Sequence, residues 1–137
     1  MSFLLDTNVI SETRRKIPDP NVRAWLDAVD ERDLFVSVLT IGEIRNGIAK
    51  RWRKDRQAAA ELTHWLSGIQ TFFYDRIIPI DAEIAIEWGE LTAGRSLPVV
   101  DALLAATARV RNFTLVTRNT RDFKSLGAPF LNPWRVI

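Results

Sequence analysis

Short apolar runs alternate with longer segments whose apolar residues recur every three or four positions, so the pattern predicts strands and helices in turn. Phe3-Leu4-Leu5 reads as a buried strand, followed by a helical start over Asn8 to Thr13 and a break at Pro18 and Pro20. Asp19 is placed to cap a helix with Pro20 in its first position, and Val22, Trp25, Leu26 and Val29 keep helical spacing. Leu34-Phe35-Val36-Ser37 predicts a second strand, and Thr40 a helix running to about Lys50. Leu62, Trp65, Leu66, Ile69 and Phe72 or Phe73 line one side of a longer helix over about Asp55 to Phe73.

Ile77-Ile78-Pro79-Ile80 predicts a short strand whose proline marks an edge or an end. Asp81 caps the next helix, in which Ile84, Trp88 and Leu91 face inward until Gly94 stops it. From Pro98 a further helix presents Leu103, Leu104, Ala106 and Val110, with alanines that allow close packing. Thr114-Leu115-Val116-Thr117 is another buried strand, and Pro129-Phe130-Leu131 a last one. Regular alternation of this kind predicts an α/β fold, a three-layer α/β/α sandwich around a mostly parallel sheet. Residues 1–137 form one domain, with no internal repeat or linker.

Four acids interrupt this pattern at telling places. Asp6 ends the first apolar run, Glu43 follows the second, Asp101 lies in Pro98-Val99-Val100-Asp101, and Asp122 follows Thr117-Arg118-Asn119-Thr120-Arg121. A strand that stops at a carboxylate delivers it to the sheet's carboxyl edge, where open α/β sheets bind ligands. Each acid also has a plain structural reading. Asp6 with Thr7 and Asn8 can cap a helix, Thr40 to Glu43 fits a capping box, Asp101 suits a first helical turn, and Asp122 can cap a turn. Singly, those readings are the better ones. The coincidence of four acids beside apolar segments favours a shared site, and converging carboxylates repel one another unless a divalent cation lies between them.

Composition narrows the chemistry further. With 47% hydrophobic and 26% charged residues the chain is ordinary globular material. It contains no cysteine, which excludes disulfides and thiolate metal sites and leaves carboxylates as ligands for a hard cation. A reducing cytoplasm is the expected setting, and no apolar stretch is long enough for a signal peptide or membrane span. The one histidine, His64, lies on the long predicted helix without an acid or base beside it, so paired-histidine catalysis and a histidine-supported serine triad are excluded. There is no glycine-rich phosphate loop.

The net charge of +2 conceals a preference for arginine, 15 against 4 lysines, whose planar fork suits phosphate oxygens. Arg14-Arg15-Lys16 and the segment from Lys50 to Arg56 are strongly basic, although such runs are more often solvated helix faces. Among the tryptophans, Trp25, Trp65 and Trp88 fall at core-facing positions; Trp52, between basic residues, remains open as a base-stacking platform.

Leu4-Leu5-Asp6-Thr7-Asn8-Val9-Ile10-Ser11, Ser37 to Ile44, Pro98 to Ala108 and Val116 to Phe123 together resemble the four signature blocks of PIN-domain ribonucleases, in order and spacing. More narrowly, the chain is similar to the VapC and FitB-like toxins of bacterial type II toxin-antitoxin pairs. The resemblance implies a Mg²⁺- or Mn²⁺-dependent endoribonuclease, a homodimer and a co-encoded antitoxin. It also implies that Asp6, Glu43, Asp101 and Asp122 form a metal-binding catalytic quartet, with Asp6 and Asp101 the most direct ligands, and that Thr7, Asn8, Thr117 and Asn119 are supporting polar positions. Some relatives carry a further acid at Asn119, where an amide adds no charge.

Arg118 and Arg121 are candidates for holding RNA phosphates. Two alternatives belong to other classes. A phosphatase with an aspartyl nucleophile also begins with a strand ending in Asp, but usually has a second acid two residues later, where this chain has Asn8. A non-catalytic RNA- or protein-binding module on the same fold would be expected to have lost part of the quartet.

Overall fold

The computed structural model describes residues 1–135. Five strands form one sheet: β1 (Phe3–Leu5), β2 (Leu34–Ser37), β3 (Ile77–Ile78), β4 (Thr114–Val116) and β5 (Phe130–Leu131). Their order is β3-β2-β1-β4-β5, and every pairing is parallel. The helices are α1 (Thr7–Glu12), α2 (Pro20–Ala28), α3 (Val38–Trp52), α4 (Arg56–Phe72), α5 (Ala82–Thr92), α6 (Val99–Arg111) and α7 (Thr120–Phe123), with short 3₁₀ turns at Glu31–Asp33 and Lys124–Leu126.

The three layers follow from strand alternation, since successive side chains leave opposite faces of the sheet. Phe3, Leu5, Leu34, Val36 and Val116 pack on one side against Ile44 and Ile48 of α3 and Ala59 and Leu66 of α4. Leu4 and Leu115 pack on the other against Leu104, Ala105 and Ala108 of α6, with Phe123 and Leu126. Small residues on α6 let that helix sit close to the sheet. Aromatic contacts brace both sides: Phe3 meets Trp25 edge-on at 5.0 Å, and Phe35 stacks on Phe113 at 4.8 Å.

Several expectations are refined by the coordinates. Helix α3 starts at Val38 rather than at Thr40, because Ser37 caps it by accepting from the Leu39 N–H at 3.0 Å. The segment from Thr40 to Glu43 is therefore not a capping box. Asp81 caps α5 as its position predicts, and Asp55, expected as the first residue of the long helix, caps α4 from just outside it. The third strand is shorter than expected and ends before Pro79, on the edge of the sheet. On α6 Leu104 and Ala106 are buried as expected, with Ala102, Ala105 and Ala108, while Leu103 and Val110 are half-buried. No helix among the described residues is long and apolar enough to cross a membrane.

Candidate metal centre

The sheet order places β1 in the middle, with chain connections running outward to β2 and β3 on one side and to β4 and β5 on the other. The carboxyl ends of β1 and β4 therefore flank the point where the winding reverses, the position at which parallel sheets open a crevice. Asp6 and Thr117 are the first residues beyond those two strands. Leu5 pairs with Val116, and the Asp6 N–H continues the ladder by donating to the Val116 carbonyl at 2.9 Å. One register step beyond, the Thr117 hydroxyl donates to Asp6 Oδ2 at 2.8 Å.

Asp6 is almost wholly buried, 7% exposed, and three donors hold it. Besides Thr117, the Thr7 N–H reaches Oδ1 at 2.8 Å and the Asn8 amide reaches Oδ2 at 3.3 Å. Asp6 thus is the cap of α1. Burial still dominates and holds the Asp6 carboxyl above the ordinary aspartate range, against the lowering effect of the Thr117, Thr7 and Asn8 hydrogen bonds.

The other acids come from three separate helices. Glu43 lies two turns into α3 and accepts the Thr7 hydroxyl at 2.6 Å; that hydroxyl also lies 3.3 Å from Thr40 Oγ1. Asp101 sits in the first turn of α6, where the helix dipole favours a carboxylate. Asp122 sits on the short α7. None of the four joins an ion pair among the described residues. Asp101 is raised above the ordinary value of 3.8, first by desolvation and then by the negative charges of Asp6, Asp122 and Glu43. The four acids therefore share one electrostatic field.

Among the described residues no three acidic side chains are gathered tightly enough to close on one ion by themselves. A hard cation such as magnesium takes only one or two direct carboxylates and keeps several waters. The donor set fits as well, being all oxygen and uncompensated by any internal cation.

The supporting residues are tied to this centre. Thr117 Oγ1 accepts from the Asn119 N–H at 3.0 Å, and the Asn8 amide bridges Asp6 and Thr117 while its oxygen receives the Arg118 N–H at 3.4 Å. The place two residues after Asp6, where a phosphatase of the aspartyl type carries its second acid, is an amide bonded to Asp6 itself. Thr40 is a participant that sequence reading assigned to a cap; its signal was its place three residues after the last buried residue of β2. Arg118 lies with its guanidinium 5.1 Å from the centre of the Trp134 ring, a cation–π contact that occupies it. Arg121 is exposed. His64 is exposed on α4, away from the acids' hydrogen-bond network. Trp52 is 48% exposed, and Arg56 lies over its ring at 5.3 Å.

The cost of charging Asp101, from desolvation and then from its acidic neighbours, has a measurable consequence. A raised folded-state pKa means that the native protein holds a proton at Asp101 that the unfolded chain has already lost, so stability falls as pH rises from 3.8 through the raised value. Asp101→Asn is therefore expected to melt at a higher temperature than the parent at pH 7.5 in metal-free buffer, with the difference vanishing near pH 4. Added Mg²⁺ should narrow the gap by stabilising the parent. A gain that is equal at both pH values would show that the charge on Asp101 is not its source.

A parallel α/β sandwich with acids converging at the switch point between β1 and β4 defines a class of domain that gathers carboxylates in a strand-end crevice. The PIN domain pattern matches residues 3–129, and the chain belongs to the PIN-domain family. It is 34% identical to the Toxin FitB of Neisseria gonorrhoeae over 96% of this chain and 98% of that one. The crystal structure of FitAcB from the same organism superposes with a TM-score of 0.87 at 34% identity, covering 98% of this chain and 99% of that one. The VapC ribonuclease Y4jK of Sinorhizobium fredii is 32% identical over 96% of this chain and 97% of its own. A toxin-antitoxin complex from Klebsiella pneumoniae matches with a TM-score of 0.68 and 27% identity, over 98% of this chain and 100% of that one.

Proposed function

We propose that this chain is a divalent-metal-dependent endoribonuclease and the toxin of a type II toxin-antitoxin pair. The observation that carries the reading is Asp101, held above its ordinary value first by desolvation and then by three further carboxylates, with no ion pair to any of the four among the described residues. Relatives named as a toxin and as a ribonuclease, aligned over nearly their whole length, support it. Asp6 and Asp101 would hold Mg²⁺ or Mn²⁺ directly, with Glu43 and Asp122 beside them. Such an ion supplies Lewis acidity toward the phosphoryl oxygens and brings the pKa of water into the neutral range.

The chain's own residues prepare for this. Thr117, the Thr7 N–H and Asn8 hold the Asp6 carboxylate in one orientation, so little motion is lost on ion binding. The Thr7 hydroxyl fixes Glu43 across 36 residues of sequence. Burial of Asp6 excludes water from behind the site, which strengthens its attraction for a cation. The same carboxylates would attract a guanidinium or ammonium from a protein partner, so a cognate antitoxin with an Arg or Lys near Asp6, Glu43 and Asp101 is part of the proposal.

Induction of this chain by itself is expected to arrest growth, and co-expression with the adjacent open reading frame to restore it, with the two proteins copurifying. Harmless expression of soluble, active protein would count against the toxin assignment.

A further inference from the structure

The outward face of α3 carries a second feature that the metal centre does not use. At 100° per residue, Glu43, Asn46 and Lys50 fall on one side of the helix axis, opposite the buried Ile44 and Ile48, and Arg53 and Lys54 follow just beyond the helix's C-terminal end. Two surface depressions open along this side and meet at Asn46. The first is lined by Val38, Leu39, Gly42, Glu43, Asn46 and Val100, and so borders the acids. The second is lined by Asn46, Ala49, Lys50, Arg53 and Lys54.

Among the described residues Lys50, Arg53 and Lys54 make no ion pair, whereas Arg15, Arg23, Arg76, Arg109 and Arg111 each have an acidic partner. Trp52 lies about 200° from Lys50 around the helix and meets Arg56 of α4, so it is not part of this face.

We infer that an RNA strand cut at the acidic centre runs past Asn46 along the outer face of α3, with its phosphates held by Lys50, Arg53 and Lys54. The inference rests on the ribonuclease reading and specifies how that substrate is positioned. At a rise of ~1.5 Å per residue, Lys50 lies ~10 Å and Arg53 ~15 Å along the axis from Glu43. Those distances match or exceed a physiological Debye length of ~8 Å, so the acids do not cancel the cations. They correspond to roughly three to four nucleotides at ~3.4 Å per stacked residue. The cations at the far end of this face, Lys50, Arg53 and Lys54, fit the phosphate backbone, which makes their contact independent of sequence.

Binding of a fluorescently labelled 20-nucleotide single-stranded RNA to the full chain, followed by anisotropy across a salt series, tests this without requiring turnover. For the Lys50→Ala/Arg53→Ala/Lys54→Ala variant, the slope of log Kd against log salt should fall by about 2, as expected for three lost phosphate contacts at ~0.7 each. KM for the 20-mer should rise about tenfold, with kcat unchanged and cleavage of a trinucleotide unaffected. The charge-keeping variant Lys50→Arg/Arg53→Lys/Lys54→Arg should restore the parent slope.

An unchanged slope overturns the inference. So does a variant that keeps the slope but no longer copurifies with the adjacent gene product, or that changes its oligomeric mass, since the face would then serve a protein. A reduced slope in a protein that never cleaves RNA would retain the binding track and refute the ribonuclease reading instead.

Discussion

Asp6→Asn is expected to lower metal-dependent RNA cleavage by at least about a hundredfold while leaving the fold intact. The loss follows from position: Asp6 is the only one of the four acids that is buried, and three donors fix its carboxylate at the carboxyl end of β1. Altering mere supporting groups at metal sites costs about 10–100-fold, and a directly bound carboxylate should cost more. The fold should survive because the Asn oxygen can still accept the Thr7 N–H and cap α1, while the Asn8 side chain and the Thr117 hydroxyl turn their donors away from the new amide. Burial already disfavours the Asp6 charge, so its removal costs little stability. Asp101→Asn should lose activity similarly. Circular dichroism with a labelled RNA cleavage assay checks both halves, and a folded Asp6→Asn protein cutting at the parent rate would remove Asp6 from the site.

Chelation should have the second largest effect: EDTA should abolish cleavage, and Mg²⁺ or Mn²⁺ should restore it. With no histidine in the crevice, the residues there offer no neutral-range acid–base pair to activate the RNA's own 2′-hydroxyl. Hydrolysis by water should therefore leave 3′-hydroxyl and 5′-phosphate ends. His64→Ala, on the exposed side of α4, should retain nearly the parent rate. Products ending in 2′,3′-cyclic phosphate, or cleavage that persists in EDTA, would refute water attack assisted by a metal.

Local chemistry carried much of this into the sequence. Short apolar runs and period-3.6 patterns located the five strands and the long helices, because a covered parallel sheet buries both faces of a strand while a helix buries one. Asp19, Asp55 and Asp81 announced helix starts for an equally local reason: a short acceptor side chain satisfies N–H groups two or three residues ahead. The four acids could be singled out because each interrupts an apolar pattern.

Their assembly was decided elsewhere. Nothing within ten residues of Asp6 specifies that Thr117 will stand 2.8 Å away; that contact comes from the parallel β1–β4 register and strand order, which depend on pairing across more than a hundred residues. Ser37, rather than Thr40, became the cap of α3 because β2 ends at Ser37, and only then did Thr40 turn inward toward Thr7. Trp52 and Arg118 look free in sequence and are partnered in space by Arg56 and Trp134. Which elements form is a matter of neighbouring residues and solvent. Which charges share a field depends on how the sheet is ordered, since Coulomb interactions follow distance through space and not along the chain.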